Sequence, residues 1–489
     1  MGTHLKMAAC ILFPLIAGLW LMLQKTLHDA RKLRYYVCLV LLINIILTGC
    51  LMFLPDTSWI VWKLTDKLNI VLKLDSLSRI FLILVSVIWL VVSYYAHEYM
   101  EHEDDPARFF AFYLMTLGGL TGLCLAGNFM TLYLFFEAMS LLSVPLVLHT
   151  MSKKAIAAAL KYLIYSIAGA SLSLIGFFIM LHYGSIEFAA GGTLSPEVIA
   201  AHQNILLAGA MFTIVGFGTK AGIFPMHSWL PAAHPVAPAP ASAVLSGVIT
   251  KAGILAVIRV VYYQFGVTLI KGSWVQYVWI ALSLISVLMG STLAYKEQVL
   301  KKRLAYSSVS QLGYILFGLA TLTPAGFIGA VMHVVCHSVI KNGLFLGAGA
   351  VIHQTHKTKV SELAGIGKRM PVTMVCFTIC ALALVGIPPT GGFVSKWNLI
   401  SGSLESGLGF ISWLGPVVLL VSAILTAGYL LGISVKAFII GKDQEEVTAE
   451  PEGTMMKDTQ ILLAFMAVVL GICAGPLISY LNTIAGGLF

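Results

Sequence analysis

Apolar runs of about twenty residues, parted by short polar loops, succeed one another along almost the whole chain. A helix needs roughly 20 apolar residues to cross the hydrocarbon core of a bilayer, where only intra-segment bonding satisfies its backbone. The pattern therefore predicts an all-α, polytopic membrane protein with about 14 transmembrane helices. The spans are expected near 7–24, 34–54, 76–96, 108–126, 128–148, 159–182, 204–223, 238–263, 275–295, 303–322, 325–353, 371–400, 413–440 and 459–482. The 489 residues accommodate these spans and short loops, and leave no room for a large soluble domain as well. Only 10% of the residues are charged, against about 25% in soluble domains. The polar stretch 55–75, with Asp56, Lys63, Asp66, Lys67 and Lys73, reads as a surface segment.

The formal charge of +9 does not point to nucleic acid, because the basic residues are scattered in short loops and form no stripe or tail. They do fix an orientation. Loops after odd-numbered spans carry runs such as Arg31-Lys32, Lys153-Lys154, Lys301-Lys302-Arg303 and Lys368-Arg369, together with Lys442 and Lys457. The opposite loops hold Lys6, Lys63, Lys67, Lys73 and Lys271. Positive loops stay cytoplasmic, so both termini are expected outside. The eight cysteines lie in apolar runs without CxxC pairs and read as small buried hydrophobes, with no disulfide framework. No small-x-small cleavage site follows the first apolar run, which reads as the first span and not as a cleaved signal.

Two spans look broken. Glycine and proline interrupt the helix around Gly218-Thr-Lys220-Ala-Gly-Ile-Phe-Pro225 and again at Gly386-Ile-Pro-Pro-Thr-Gly-Gly-Phe-Val-Ser-Lys396. Non-helical backbone at membrane depth survives only inside protein or beside a water-filled cavity, and paired interrupted helices point to a transport site built from an inverted repeat. The breaks fall in spans seven and twelve. The expected organisation is 1–106 with three N-terminal spans, 107–264 as repeat one with spans four to eight, 265–440 as repeat two with spans nine to thirteen, and 441–489 with span fourteen. The proline-rich stretch Pro231 to Pro240 reads as a stiff connector.

Few ionisable residues remain inside the spans: Arg79, Glu137, Lys220, Lys251, Arg259, His333, His337, Lys341, Lys396 and Lys436. A central charge costs about 2.5–3.5 kcal/mol on insertion scales, so a chain that keeps several uses them. Arg79, Arg259 and Lys436, near span ends, read as snorkelling or loop-anchoring residues. Glu137 needs a partner, for which Lys220 is the candidate. Such a pair could be a permanent bridge, or a switch whose opening leaves a lysine able to release its proton. His333, His337 and Lys341 stand at i, i+4 and i+8, so they share one helix face and read as a proton relay. His333, Cys336 and His337 also have plausible metal-ligand spacing, but no carboxylate or second cysteine completes a site, so no metal is expected. No Walker loop, dinucleotide fingerprint or hydrolytic carboxylate pair is present, and neither a catalytic site nor a cofactor is expected in this chain.

The runs Lys220-Ala-Gly-Ile-Phe-Pro-Met-His-Ser-Trp-Leu-Pro231, Lys302-Arg-Leu-Ala-Tyr-Ser-Ser-Val-Ser-Gln-Leu-Gly313, His333-Val-Val-Cys-His337 with Lys341, and Gly392-Phe-Val-Ser-Lys396 resemble the antiporter-like subunits of respiratory complex I. They resemble equally those of Mrp-type cation/proton antiporters and membrane-bound hydrogenases. The resemblance runs from about residue 70 to 440 and includes Leu74-Asp75-Ser-Leu-Ser78 before span three. It implies an ion-pair glutamate at Glu137, its partner at Lys220, a central lysine at Lys251, relay histidines at His333 and His337, and a terminal lysine at Lys396. Lysine at 251 looks like the Mrp and middle complex I type; lysine at 396 looks like the Mrp and most distal complex I type. The chain ends after span fourteen, without the distal subunit's long lateral helix.

The function expected is translocation of protons, sodium ions or both, by one subunit among other membrane subunits in a bacterial or archaeal cytoplasmic membrane. The alternatives are a non-conducting scaffold that anchors a catalytic or redox module, and a self-contained secondary transporter.

Overall fold

The computed structural model describes residues 2–27, 29–439, 449 and 451–489. The chain is almost wholly helical. In order, the elements are α1 Thr3–Leu23, α2 Ala30–Met52, β1 Thr57–Lys63, β2 Asn69–Leu74, α3 Ser76–Met100, α4 Pro106–Cys124, α5 Phe129–Leu148, α6 Lys153–Tyr183, α7 Pro196–Lys220 and α8 Leu230–Val236. There follow α9 Ala239–Phe265, α10 Trp274–Lys296, α11 Leu300–Ala320, α12 Pro324–Thr355, α13 Pro371–Val385, α14 Gly391–Leu404, α15 Phe410–Phe438, α16 Thr454–Ile472 and α17 Ala474–Gly486.

Among the described residues, twelve helices are long and apolar enough to cross a membrane, and the chain is a polytopic membrane protein. Every expected span falls on helix, but 371–400 is divided between α13 and α14, as expected at its break, and 459–482 is divided between α16 and α17, which was not expected. The two outside the twelve are α11, which spends buried positions on Ser307, Ser308 and Ser310, and α13, which has 15 residues and stops at a break. The expected boundary at residues 440 and 441, and Lys442, lie outside the described residues.

Layering follows from the side chains. α9 is buried over its full span, and α12 nearly so; α12 packs on α3, α9, α11, α13, α14 and α16. Around this centre α1, α2, α5, α6, α7, α15 and α16 bury one face each and turn Leu, Ile, Phe and Trp outward. That outward surface suits lipid tails, which are as apolar as leucine. Helix starts are fixed by side chains that satisfy orphan N–H groups: Asp75, Ser152, Ser195 and Thr323 each accept from the backbone three residues on.

Two expectations are corrected and two are refined. The segment 55–75, expected at the surface, holds an antiparallel hairpin whose first strand is mostly exposed, with Thr57 opposite Leu74 and Lys63 opposite Asn69. Its β-branched and aromatic residues favour extended backbone, and it docks through Lys73 N–H to the Leu125 carbonyl at 2.7 Å. The proline-rich stretch does connect α7 to α9, and a helix makes it stiff: α8 occupies most of it, with Pro231 at the start, where a missing N–H costs nothing. Arg259 does not snorkel. It is 1% exposed and grips Asp75 with two bonds of 2.7 and 2.8 Å, while Asp75 also caps α3. The cysteines divide: Cys10, Cys124, Cys336, Cys376 and Cys380 are buried, but Cys50 on α2 and Cys473 at the turn between α16 and α17 are exposed. Arg79 does anchor a loop, through Asp56 at 2.6 Å and the Leu54 carbonyl at 2.7 Å.

Candidate functional site: a buried row of lysines and histidines

Both expected helix breaks are present. The first separates α7 from α8, with Gly222 at φ +72°, a conformation glycine adopts without steric cost. The second separates α13 from α14 and turns at Gly386, φ +93°. Each break frees carbonyls that a continuous helix would use. At the first, the Trp229 indole donates to the Thr219 carbonyl at 2.9 Å. At the second, the Lys396 ammonium reaches back to the carbonyls of Leu384 at 2.7 Å and Val385 at 2.9 Å. A cation at the carbonyl end of a half-helix is stabilised by the helix dipole.

Lys220, the last residue of α7, is 2% exposed. Its ammonium donates to the Tyr162 hydroxyl at 2.8 Å and the Ser166 hydroxyl at 3.0 Å, and lies 4.3, 5.7 and 5.8 Å from the rings of Tyr162, Phe136 and Trp229. Ring faces attract a cation. The expected contact pair with Glu137 is not closed. Among the described residues no ion pair within 4.0 Å joins them, and Glu137 is only half-buried on α5. The Lys220 ammonium is bonded to Tyr162 instead, and the Tyr162 hydroxyl also contacts Ser143 at 2.7 Å.

Lys251 is 1% exposed and follows a π-helical turn at Leu245–Ile249. Such turns leave irregular hydrogen bonding and are frequent at functional sites. Its ammonium bonds the Ser246 carbonyl and lies 2.7 Å from His337 Nδ1. The His337 ring stacks on His333 with centroids 5.9 Å apart. His333 Nδ1 meets the Ser395 hydroxyl at 2.9 Å, and its Nε2 meets Gln311 at 3.1 Å. Ser395 precedes Lys396, whose ammonium is 5.0 Å from the Tyr314 ring; that ring is 5.8 Å from His333. Lys251, His337, His333 and Lys396 thus form one buried row. Lys341 stands beside the row, donating to the Leu304 carbonyl at 3.0 Å.

Two residues escaped the sequence reading. His234 on α8 is 0% exposed, stacks on Phe345 at 4.6 Å, and among the described residues neither ring nitrogen has a hydrogen-bond partner. Lys301 is 6% exposed and donates to the Ala237 carbonyl at 2.9 Å. Both lie outside the apolar runs, which hid them. The signal available was their place beside the first break and at the head of a serine-rich helix.

These features define a helical membrane protein with two interrupted helices and a row of buried cations and imidazoles. The chain belongs to the family described as NADH:quinone oxidoreductase/Mrp antiporter, TM, which matches residues 126–426; residues 59–110 match NADH-Ubiquinone oxidoreductase (complex I), chain 5 N-terminus. It is 35% identical to NADH-quinone oxidoreductase subunit N of Desulforudis audaxviator (strain MP104C) over 386 residues, 78% of this chain and 75% of that protein. It is 34% identical to Hydrogenase-4 component B of Escherichia coli (strain K12) over 433 residues, 83% of this chain and 63% of that protein. The fold matches a chain of the Mrp complex from Dietzia sp. DQ12-45-1b with a TM-score of 0.85 at 23% identity, covering 99% of this chain and 97% of that one.

Proposed function

We propose that this chain is an ion-translocating subunit of a multisubunit membrane complex, and that protons, sodium ions or both cross through the buried row. The observation that carries this reading is the 2.7 Å contact of Lys251 with His337, continued through His333 and Ser395 to Lys396 at the second break. Each buried lysine costs insertion energy, which a non-conducting scaffold would gain nothing from keeping. The roles follow the geometry. Lys251 is the central proton carrier, His337 and His333 relay, and Lys396 is the terminal site. Lys220 and Glu137 form an open pair whose closing changes the field at Lys251, and Lys341 biases Lys251 from the side.

The two breaks, spaced five spans apart, support fourteen crossings with inverted repeats at 107–264 and 265–440. The loop charges support a cytoplasmic face at the odd-to-even loops and both termini outside. Relatives named as subunits and components, bacterial among them, support a bacterial or archaeal cytoplasmic membrane and neighbouring membrane subunits. Glu137 supports a neighbour too: a half-buried carboxylate on the flank of a span is costly against lipid and cheap against a polar partner.

The test is proton and sodium flux in everted vesicles carrying the native complex. Glu137→Ala and Lys251→Ala are each expected to lower flux roughly 100-fold or more, in keeping with removal of a proton-transfer group, while the complex stays assembled. Full flux in Lys251→Ala would refute the reading and favour a scaffold.

A further inference from the structure

The row described above begins at Lys251, deep in the protein, and needs an opening to water. At the end of the bundle that the loop charges assign to the cytoplasm, four elements bring titratable groups together. α3 ends in Tyr99, with His102 and Glu103 just beyond it; α12 ends near His353; α11 begins with Lys301; α9 begins at Ala239. The His353 ring lies 5.2 Å from Tyr99 and 4.8 Å from His102. The Tyr99 hydroxyl interacts with the Glu103 carboxylate four residues on, and it faces the Ala239 N–H, an orphan donor at a helix start.

From this cluster a polar line runs inward. Lys301 interacts with Glu103 through charge and donates to the Ala237 carbonyl at 2.9 Å. Three residues before Ala237 stands His234, whose buried ring nitrogens have no partner among the described residues. A buried imidazole without a partner is a cost that calls for an explanation. Its ring stacks on Phe345 at 4.6 Å, and the Lys341 ammonium is 5.8 Å from the same ring. The charges of Lys341 and Lys251 both act on His234.

We propose that Glu103 collects protons from the cytoplasm, and that Tyr99, Lys301 and His234 line the path from it to Lys251. This rests on the translocation reading above. The exposed loop around Glu103 offers water on one side and the Tyr99–Ala239 contact on the other. Burial pushes the Glu103 carboxyl above its ordinary value and Asp104 adds to this, while Lys301 and Tyr99 pull the other way. His102 and His353 face the same cluster at its rim. A proton bound at Glu103 passes inward, and the carboxylate is left free for the next.

The experiment compares wild type, Glu103→Gln, Glu103→Asp and Lys251→Ala in everted vesicles, whose outer face is the cytoplasmic one. Proton uptake is followed from pH 6 to 8, with and without a small weak acid such as formic acid or imidazolium outside. Glu103→Gln is expected to slow uptake roughly tenfold and to flatten its pH profile. Glu103→Asp restores the profile. The weak acid restores uptake in Glu103→Gln but not in Lys251→Ala, because a diffusible acid replaces a surface group and not a buried one. Unchanged uptake in Glu103→Gln, beside loss in Lys251→Ala, would overturn the proposal and leave the translocation reading intact. A slow Glu103→Gln that no weak acid rescues would mean a structural role and would also overturn it. Full uptake in both Glu103→Gln and Lys251→Ala would refute both readings.

Discussion

Tyr162 takes the Lys220 ammonium bond that a contact pair would give to Glu137, and this single side chain changes what the pair can do. A contact bridge would hold the lysine charged in one position; a tyrosine-bonded lysine can be drawn toward the glutamate or left on the hydroxyl. Tyr162→Phe removes one hydrogen bond to a charged group, a loss of about 1.5–3 kcal/mol, and is expected to lower the thermal stability of the purified complex and its flux together. His337→Gln keeps a polar group beside Lys251 but cannot carry a proton as an imidazole can. It is expected to slow flux roughly 100-fold with assembly on native gels unchanged. At this scale the sequence was partly legible. His333 and His337 declared themselves by helical spacing, because one face must meet one environment. Tyr162 did not, since nothing in an apolar helix says which of its aromatics turns inward. Arg259 was misread for a related reason: its carboxylate lies 184 positions away in the chain.

The breaks are where element geometry and chemistry coincide. Gly386 turns at φ +93°, and a Cβ there would come 3.1 Å from Lys396 Cδ. Gly386→Ala therefore strains the turn by about 1–2 kcal/mol and displaces the ammonium from its two carbonyls. The expected result is lower flux in vesicles with a modest loss of thermal stability. Glycine and proline made both breaks readable, because few residues stop a helix at that depth. The hairpin at 57–74 was less legible. Its lysines and aspartates mask the strand pattern, and only the partner strand explains the alternation. The same masking hid Lys301, which a run of basic residues made to look like an ordinary loop.

Across the whole molecule, Asp75 and Arg259 fasten the N-terminal spans to the end of α9. Asp75→Ala leaves a buried guanidinium uncompensated, a loss of about 3–5 kcal/mol. Lower yield of folded protein from membranes and a lower unfolding temperature are the expected readouts. The twelve helices long and apolar enough to cross a membrane were legible from hydropathy alone, since the bilayer imposes one length on every helix. Which helices lie inside and which face lipid was not, because both are apolar. α9 illustrates this: its sequence looks like any other span, yet it is sheathed on all sides. The ribosome delivers α9 before α10, α11 and α12 exist. During synthesis Lys251, whose imidazole partner His337 comes later, must therefore wait in the insertion channel, or against lipid at about 2.5–3.5 kcal/mol. The order of delivery thus makes the second half of the chain the cover that completes the first, so a ribosome that stalls after α9 releases a membrane fragment with Lys251 bare.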